Sequence, residues 1–207
     1  MTRPDISLSV QSLSQFMQTP MKAHMAAAKN VLRYLKSNLG LRILLSSRHS
    51  TTLRCFCDSD WAACHTTRRS VSGYLLKIGD SLISWKVKKQ EIVSKSSDEA
   101  KYRALSVAIL EVIWVLGVMK DLGFQNVDLV KVYCDSKAAI HIANNPIFHE
   151  RTKHIEVDCH FVREKLQQKI ISLHHVCSAE QEADVLTKPL GKKLHDSLNL
   201  RGSVEDM

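Results

Sequence analysis

The sequence predicts an α/β protein in which helices pack on a mixed β-sheet, with a helical hairpin preceding the sheet. Three short β-prone runs follow one another between residues 51 and 85 with no helix between them, which is typical of antiparallel strands. The chain then alternates helical and β-prone segments, and this alternation favours parallel strands joined by helical crossovers. Together these patterns indicate a sheet of mixed strand direction.

The first 40 residues have the spacing of two amphipathic helices. Asp5 is a candidate cap for the first helix, the second is predicted to start at Thr19-Pro20, and Gly40 is expected to take the left-handed position at its end. Apolar residues at helical spacing are Ile6, Val10, Leu13, Phe16 and Met17 in the first helix, and Met25, Ala28, Leu32 and Leu35 in the second. A helical hairpin is the simplest interpretation.

The next elements are strands and a long central helix. β-prone runs cover residues 51–57, 70–78 and 82–85, with a weaker run at 41–45. The strongest helix start is Ser96-Ser97-Asp98-Glu99, which has the form of a capping box. Apolar residues follow it at helical spacing as far as Leu122-Gly123, so a single long helix is predicted.

The remaining elements alternate. We predict a strand at 127–133, a short helix at 136–143, a helix at 155–168, a strand at 170–176 and a helix at 179–200 that Pro189 interrupts. The predicted order is therefore αα, βββ, α, β, α, α, β, α.

The composition is that of an ordinary globular chain, and the positive net charge predicts an acidic partner. Of 207 residues, 29 are Lys or Arg and 21 are Asp or Glu, for a net charge of +8. Residues 1–50 hold 7 basic and 1 acidic side chains, residues 51–95 hold 8 and 4, and residues 96–207 hold 14 and 16. The basic excess therefore lies in the first half, and nucleic acid is the usual partner of such a chain.

Cysteine usage and the lack of a long apolar run indicate where the protein acts. No C-x-x-C pair occurs among the six cysteines, so reduced thiols are expected rather than disulfides or a zinc site. The chain shows no uninterrupted run of about 18 apolar residues and no apolar signal segment. We expect an intracellular protein, cytoplasmic or nuclear, that is neither secreted nor in a membrane.

Three aspartates are candidates for a metal site. Asp58 follows the first clear strand, Asp135 follows a later one, and Asp184 lies in the first turns of the last predicted helix. If the two strands are parallel neighbours, Asp58 and Asp135 lie side by side, and grouped carboxylates suit Mg²⁺. The alternative is that each aspartate caps the helix that follows it, as Asp135 is placed to do.

Several motifs resemble one family over most of the chain. The matching stretches are Thr2-Arg3-Pro4-Asp5-Ile6, Leu13-Ser14-Gln15-Phe16-Met17, Asp58-Ser59-Asp60-Trp61-Ala62, Arg68-Arg69-Ser70-Val71-Ser72-Gly73-Tyr74, Ile83-Ser84-Trp85-Lys86, Ser96-Ser97-Asp98-Glu99-Ala100-Lys101-Tyr102, Tyr133-Cys134-Asp135, Arg151-Thr152-Lys153-His154-Ile155 and Ala183-Asp184-Val185-Leu186-Thr187-Lys188. Residues 53–190 resemble the ribonuclease H domain at the C-terminus of Copia-type retrotransposon polyproteins. Residues 1–45 resemble the segment that joins it to the reverse transcriptase.

This resemblance implies an RNase H fold with a five-stranded mixed sheet, and hydrolysis of the RNA strand of RNA–DNA hybrids. In that reaction four carboxylates hold two Mg²⁺ (or Mn²⁺) ions roughly 3.5–4 Å apart. Carried over by position, Asp58 is the first carboxylate, Asp135 the third and Asp184 the fourth. Lys101 stands where the family has the second, a glutamate.

Lys101 makes catalysis doubtful. Its spacing from Leu105 and Ala108 places it on the helix face that meets the sheet. We therefore expect activity to be lost or impaired. Three alternatives remain: the lysine extends to solvent, it forms an ion pair with Asp58 or Asp135, or Asp98 replaces the missing acid.

Basic side chains in the loops of the strand region are candidates for contacts with phosphates. They are Arg68, Arg69, Lys86, Lys88 and Lys89. Trp61 and Trp85 are expected to pack in the core rather than stack on bases. The expected partner is an RNA–DNA hybrid or another nucleic acid, and the resemblance implies an original fusion to an upstream reverse transcriptase.

The predicted organisation is a helical connection segment at 1–45, an RNase H-like domain at 46–200 and a tail at 201–207. The two helices of the connection segment are expected to expose an apolar face that includes some of Phe16, Met17, Met21 and Met25. No polymerase activity is expected. The alternative function is a non-catalytic nucleic-acid-binding or interaction module, as in a degenerate transposon fragment.

Overall fold

The computed structural model describes residues 3–41, 43, 45–47, 50–124, 127–145 and 155–191. Five strands form one sheet: β1 (Leu53–Asp60), β2 (Val71–Ile78), β3 (Ser81–Lys89), β4 (Val130–Cys134) and β5 (Ile171–His175). Their order in the sheet is β3-β2-β1-β4-β5. The predicted α/β class and five-stranded mixed sheet are confirmed.

The first three strands pair antiparallel, and the last two join them in parallel. β1 pairs antiparallel with β2 and β2 with β3, whereas β4 pairs parallel with β1 and β5 parallel with β4. Residues 41, 43 and 45 are not in a strand, so the weak fourth run is wrong there, and residues 42 and 44 lie outside the described part. The central position of β1 makes it the strand on which the site is built.

Among the described residues, helices precede and follow the strands along the chain and lie on both faces of the sheet. The α-helices among the described residues are α1 (Ser7–Ser14), α2 (Lys22–Ser37), α3 (Ser97–Asp121), α4 (Lys137–Asn144), α5 (Glu156–Gln167) and α6 (Asp184–Thr187). The helices α3, α4 and α5 cover one face around a large apolar core. A smaller cluster under α6 covers the other face around Phe56, Leu75 and Leu186.

The long helix α3 is confirmed, together with its start signal. The Ser96 hydroxyl accepts a hydrogen bond from the Glu99 amide at 3.1 Å, and Glu99 Oε2 accepts one from the Lys95 amide at 2.9 Å. By length and composition alone α3 is apolar enough to cross a membrane, with a mean hydropathy of 1.7, but half of its apolar window is buried inside the protein. This burial is what a core helix shows.

The N-terminal hairpin differs from its prediction in two details. Asp5 does not cap α1, because it lies in a 3₁₀ turn and its carboxylate accepts hydrogen bonds from Arg3 and, at 2.8 Å, from the Tyr34 hydroxyl. Gly40 does not have a positive φ, and α2 ends at Ser37 with Asn38 as its C-cap. The predicted exposed apolar face is confirmed at Met17, which is 78% exposed, and also at Phe16, Met21 and Met25. Leu32, which was not predicted to be on this face, is exposed as well.

The last predicted helix is wrong over most of its described length. Ser178–Glu180 forms a 3₁₀ turn, and the helix that follows, α6, has only four residues. Residues 192–200 and the predicted tail at 201–207 lie outside the described residues. All six cysteines are free thiols.

Candidate functional site

The three predicted aspartates meet at one end of the sheet. Asp58 lies inside β1 rather than after it, Asp135 follows β4 directly, and Asp184 is the first residue of α6. Because β1 and β4 are parallel neighbours in the register Phe56↔Tyr133, Asp58 and Asp135 lie next to each other. Asp58 is fully buried and Asp184 is 5% exposed, so the carboxylates form a largely buried cluster.

Lys101 enters this cluster from the first turns of α3. Its Nζ lies 2.6 Å from both carboxylate oxygens of Asp135 and 3.5 Å from Asp58 Oδ1. Its side chain is only 18% exposed, so it does not extend into solvent. Of the alternatives that the sequence leaves open, the ion pair with Asp135 and Asp58 is the one observed.

A second lysine, which sequence reasoning missed, closes the other side of the cluster. Lys188 Nζ lies 2.8 Å from Asp184 Oδ1 and 3.3 Å from Asp58 Oδ2. The Thr187 hydroxyl also donates a hydrogen bond to Asp58 Oδ2 at 2.5 Å. The i,i+4 spacing of Asp184 and Lys188 was the available sequence signal. Asp58 therefore lies between two ammonium groups.

Close packing on β2 brings α6, and with it Asp184, to the cluster. Gly73 makes this possible, because an added Cβ there would lie 2.7 Å from Leu186 Cβ. The fully buried Gln181 holds the segment before α6 by donating to the Cys57 carbonyl at 3.1 Å. Sequence reasoning gave no role to Gly73 or Gln181, since both act through contacts distant in the chain.

A buried ion pair fixes the same segment from the other direction. Lys77 in β2 pairs with Glu182, and their side chains are 8% and 20% exposed. The Lys77 ammonium also lies 5.9 Å from the centre of the Phe56 ring, within the range of a cation–π contact. Two anchors therefore precede Asp184 by two and three residues.

The net effect of burial and the neighbouring charges is to lower the pKa of Asp58 and to raise the pKa of Asp184 and of Lys101. Burial by itself raises the pKa of Asp58, but Lys188, the Thr187 hydrogen bond and Lys101 together lower this pKa below its ordinary value. Burial and the charge of Asp58 raise the pKa of Asp184 to about 6, although Lys188 opposes the shift. For Lys101, burial lowers the pKa, but the hydrogen bonds to Asp135 and the charge of Asp58 raise it above its usual value. Lys101 is therefore charged at neutral pH.

The donor set does not fit the two metal ions that the resemblance implies. Mg²⁺ needs anionic or neutral oxygen ligands at about 2.0–2.1 Å, whereas two ammonium groups contact the oxygens of Asp58, Asp135 and Asp184. Within the ranges that the structure describes, no group of three or more His, Cys, Asp or Glu side chains is arranged to hold a metal ion. The metal role predicted for these three aspartates is therefore not visible in this arrangement.

Two smaller expectations about the acids are also resolved. Asp135 does not cap α4, because the cap is Ser136, whose hydroxyl accepts from the Ala139 amide at 3.0 Å. Asp98 does not occupy the place of the missing acid, because its carboxylate accepts from the Ser136 hydroxyl at 2.9 Å. The family's second carboxylate therefore has no substitute among these residues.

The predicted basic residues lie beside the cluster, but not all in loops. Arg68 and Arg69 lie between β1 and β2, as predicted, whereas Lys86, Lys88 and Lys89 are in β3. The register Asp60↔Val71↔Lys89 puts the end of β3 at the same end of the sheet as the aspartates. At about 4.8 Å between strands, β3 lies roughly 10 Å from β1.

The two tryptophans behave differently. Trp85 packs against the apolar cluster under α6, as expected. The expectation of core packing is wrong for Trp61, which is 47% exposed and donates its indole N–H to the Ser94 carbonyl at 2.9 Å. Trp61 directly follows the end of β1 and so lies at the same end of the sheet as Asp58.

A mixed sheet in the order β3-β2-β1-β4-β5 with aspartates at the end of its central strands defines an RNase H-like domain. The fold of an RNase H1 isolated from compost supports this class, with a TM-score of 0.51, 14% sequence identity, and coverage of 66% of this chain and 93% of that one. No protein-family model matches the chain.

The chain belongs to the retrovirus-related Pol polyproteins of Copia-type transposons. It is 39% identical over 191 residues to the Pol polyprotein from transposon RE1 of Arabidopsis thaliana, covering 92% of this chain and 13% of that relative. It is 37% identical over 187 residues to the Pol polyprotein from transposon TNT 1-94 of Nicotiana tabacum, covering 90% of this chain and 14% of that relative. The chain thus corresponds to a small part of these curated relatives.

Proposed function

We propose that this RNase H-like fragment of a Copia-type Pol polyprotein has lost the metal-dependent hydrolysis of RNA in RNA–DNA hybrids. The observation that carries the proposal is the position of Lys101 Nζ, 2.6 Å from both oxygens of Asp135. In the family this position is a carboxylate that binds the catalytic ions, so the exchange replaces an attractive charge by a repulsive one.

The magnitude of the exchange supports loss rather than mild impairment. Two unit charges 4 Å apart interact by about 4 kcal/mol at an effective dielectric of 20, and a divalent ion doubles this figure. Since about 1.4 kcal/mol corresponds to tenfold in affinity, several kcal/mol place metal binding outside the millimolar range. The Lys101 ammonium also neutralises the carboxylates of Asp135 and Asp58, whose charge a metal ion would otherwise compensate.

The test is cleavage of a labelled RNA–DNA hybrid by the purified chain with Mg²⁺ or Mn²⁺. We expect no cleavage by the wild type, cleavage by Lys101→Glu, and no cleavage when Asp135→Asn is added to Lys101→Glu. Lys95→Glu is the matched control, because it makes the same charge change at an exposed position one residue before the cap of α3. Wild-type cleavage that Asp135→Asn abolishes would contradict the proposal, and an inactive Lys101→Glu would show that Lys101 is not the cause.

A second candidate function is binding of nucleic acid without catalysis. It is favoured by the position of Lys86, Lys88 and Lys89 on β3, at the same end of the sheet as the loop that carries Arg68 and Arg69. Such a surface meets phosphates and reads little sequence. An RNA–DNA hybrid is the partner proposed for it.

Fluorescence anisotropy with a labelled hybrid at several salt concentrations tests this candidate. We expect affinity to fall steeply with salt, and the slope to become shallower by about 0.9 for each phosphate that the protein no longer neutralises. Lys86→Ala with Lys88→Ala should therefore flatten the salt dependence, while Lys120→Ala on α3 should leave it unchanged. Binding that does not depend on salt would argue against a phosphate-reading surface.

A further inference from the structure

The outer face of α3 carries an apolar stripe that nothing in the described structure covers. The stripe consists of Val107, Leu110, Trp114, Val118 and Leu122, which follow one another at helical spacing and are between 37% and 71% exposed. Trp114, at its centre, is 64% exposed. Isolated exposed apolar residues are ordinary, but a continuous stripe along four turns of helix marks an interaction surface.

The α3 stripe has a bulky residue and a notch side by side. Gly117 lies three residues after Trp114, about 4.5 Å further along the helix axis. No atom lies within 4 Å of where a Cβ on Gly117 would be, so the backbone there is open. A partner helix can approach closely at Gly117 and cannot do so at Trp114.

The charges along the stripe are sparse and of opposite sign at its two sides. Between Arg103 and Lys120 the only charged residue of α3 is Glu111. Glu111 Oε1 accepts a hydrogen bond from the Ser84 hydroxyl at 2.7 Å, which fixes its carboxylate at the margin of the stripe. Lys120 is exposed near the other end of α3.

From this arrangement we propose that α3 is the interface of a symmetric dimer, in which the α3 stripes of two copies pack antiparallel. A two-fold axis between Trp114 and Gly117 places each Trp114 over Gly117 of the second copy. Glu111 and Lys120 lie on opposite sides of α3, nine residues apart, so both stay at the margins and the apolar centre of the interface holds no charge. Parallel packing would instead set Trp114 against Trp114, with Gly117 against Gly117.

The apolar area is sufficient for a stable interface. Fully burying an aliphatic side chain stabilises by about 1.5–3 kcal/mol, which at about 25 cal/mol per Å² corresponds to about 60–120 Å² of surface removed from water. An aromatic side chain buries about 150–250 Å². Scaled by their exposed fractions, the stripe and the adjacent Phe124 offer on the order of 400 Å² per copy. Because apolar atoms make up about 60% of such interfaces, this corresponds to a total of about 1,400 Å², within the standard range.

Sedimentation velocity of the full chain between 1 and 100 μM tests the dimer. We expect a dimer at 100 μM for the wild type and a monomer for Trp114→Glu, whose exposed site tolerates the change without unfolding. Leu32→Glu on the exposed face of α2 is the matched control and should remain dimeric.

Gly117→Leu separates the interface from any effect on folding. Leucine fills the notch and should abolish the dimer. It should nevertheless raise the melting temperature of the monomer, because leucine has a higher helix propensity than glycine. A wild type that stays monomeric at 100 μM overturns the proposal. So does a dimer that survives Trp114→Glu or Gly117→Leu, or one that only Leu32→Glu disrupts. The proposal is also overturned, in favour of a lipid surface, if the monomeric chain floats with phosphatidylcholine vesicles and Trp114→Glu abolishes this flotation.

Discussion

Lys101→Glu is expected to make the folded state depend on divalent metal, which the wild type does not. The ammonium of Lys101 lies 2.6 Å from Asp135 and 3.5 Å from Asp58. At an effective dielectric of 20 these two attractions are about 6 and 5 kcal/mol before desolvation is subtracted. Breaking such a buried pair from one side typically costs about 3–5 kcal/mol.

The carboxylate that Lys101→Glu introduces lowers the free energy of unfolding by a limited amount, because it can take up a proton and become neutral. Neutralising a glutamic acid of ordinary pKa at pH 7 costs about 4 kcal/mol, at 1.36 kcal/mol per pH unit. We therefore expect Lys101→Glu in EDTA to lose several kcal/mol of the roughly 5–15 kcal/mol by which a domain is stable. A bound ion returns RT ln(1 + [L]/Kd), about 2.7 kcal/mol at a hundredfold excess over Kd.

Urea unfolding followed by circular dichroism, in EDTA and in 10 mM Mg²⁺, measures this effect. Lys101→Glu should unfold at lower urea than the wild type in EDTA and should recover with Mg²⁺, while Lys95→Glu should resemble the wild type in both. The reasoning fails if Lys101→Glu is as stable as the wild type in EDTA. It also fails if Mg²⁺ stabilises the wild type as much as the variant.

Three further substitutions test the contacts around the site and the hairpin. Gly73→Ala should lower the free energy of unfolding by about 1–3 kcal/mol, measured in urea, because its Cβ would lie 2.7 Å from Leu186 Cβ. Lys77→Met should cost about 3–5 kcal/mol in the same assay, since it leaves the largely buried carboxylate of Glu182 without its partner. Asp5→Asn should destabilise the protein at pH 7 by about 1–2 kcal/mol. This difference should disappear as the pH falls through the folded pKa of Asp5, which hydrogen bonds hold below its ordinary value although burial opposes them.

Each of these three predictions has a control in the same chain. Gly40→Ala should have little effect, because no atom lies within 4 Å of the added Cβ. Adding Glu182→Leu to Lys77→Met should restore much of the lost stability, because no charge is then buried alone. Asp80→Asn should show no comparable effect at pH 7, since its carboxylate is largely exposed beside Arg54.

The centre of the site was predictable from the sequence because it depends on local patterns. The sequence placed Asp58 and Asp135 at the ends of two strand runs, and these aspartates lie side by side once the two strands are parallel neighbours, as β1 and β4 are. The helical spacing of Lys101 from Leu105 likewise turned its side chain toward the sheet. From these two facts an ion pair was one of the expected outcomes.

Residues that depend on distant contacts were not predictable in the same way. A helix interrupted by Pro189 was predicted at 179–200, but Gln181 and Glu182 instead make contacts with β1 and β2, which are distant in the sequence. Lys188 joins the cluster only because α6 packs on Gly73. The strand β3 was placed too short because its lysines disfavour strands, although their alternation with Val87 has the period of two that a strand requires.

The place of β3 at the outer edge of the sheet gives its lysines a role in solubility. An edge strand presents unpaired backbone groups to which a strand of another molecule can add, and charged lysines hinder that addition. Lys86 and Lys88 are exposed along this edge. Phosphates that neutralise them, or alanines that replace them, remove that protection together with the positive charge. Light scattering therefore belongs beside every binding measurement made with the lysine variants, so that self-association of the strand is not mistaken for weaker affinity.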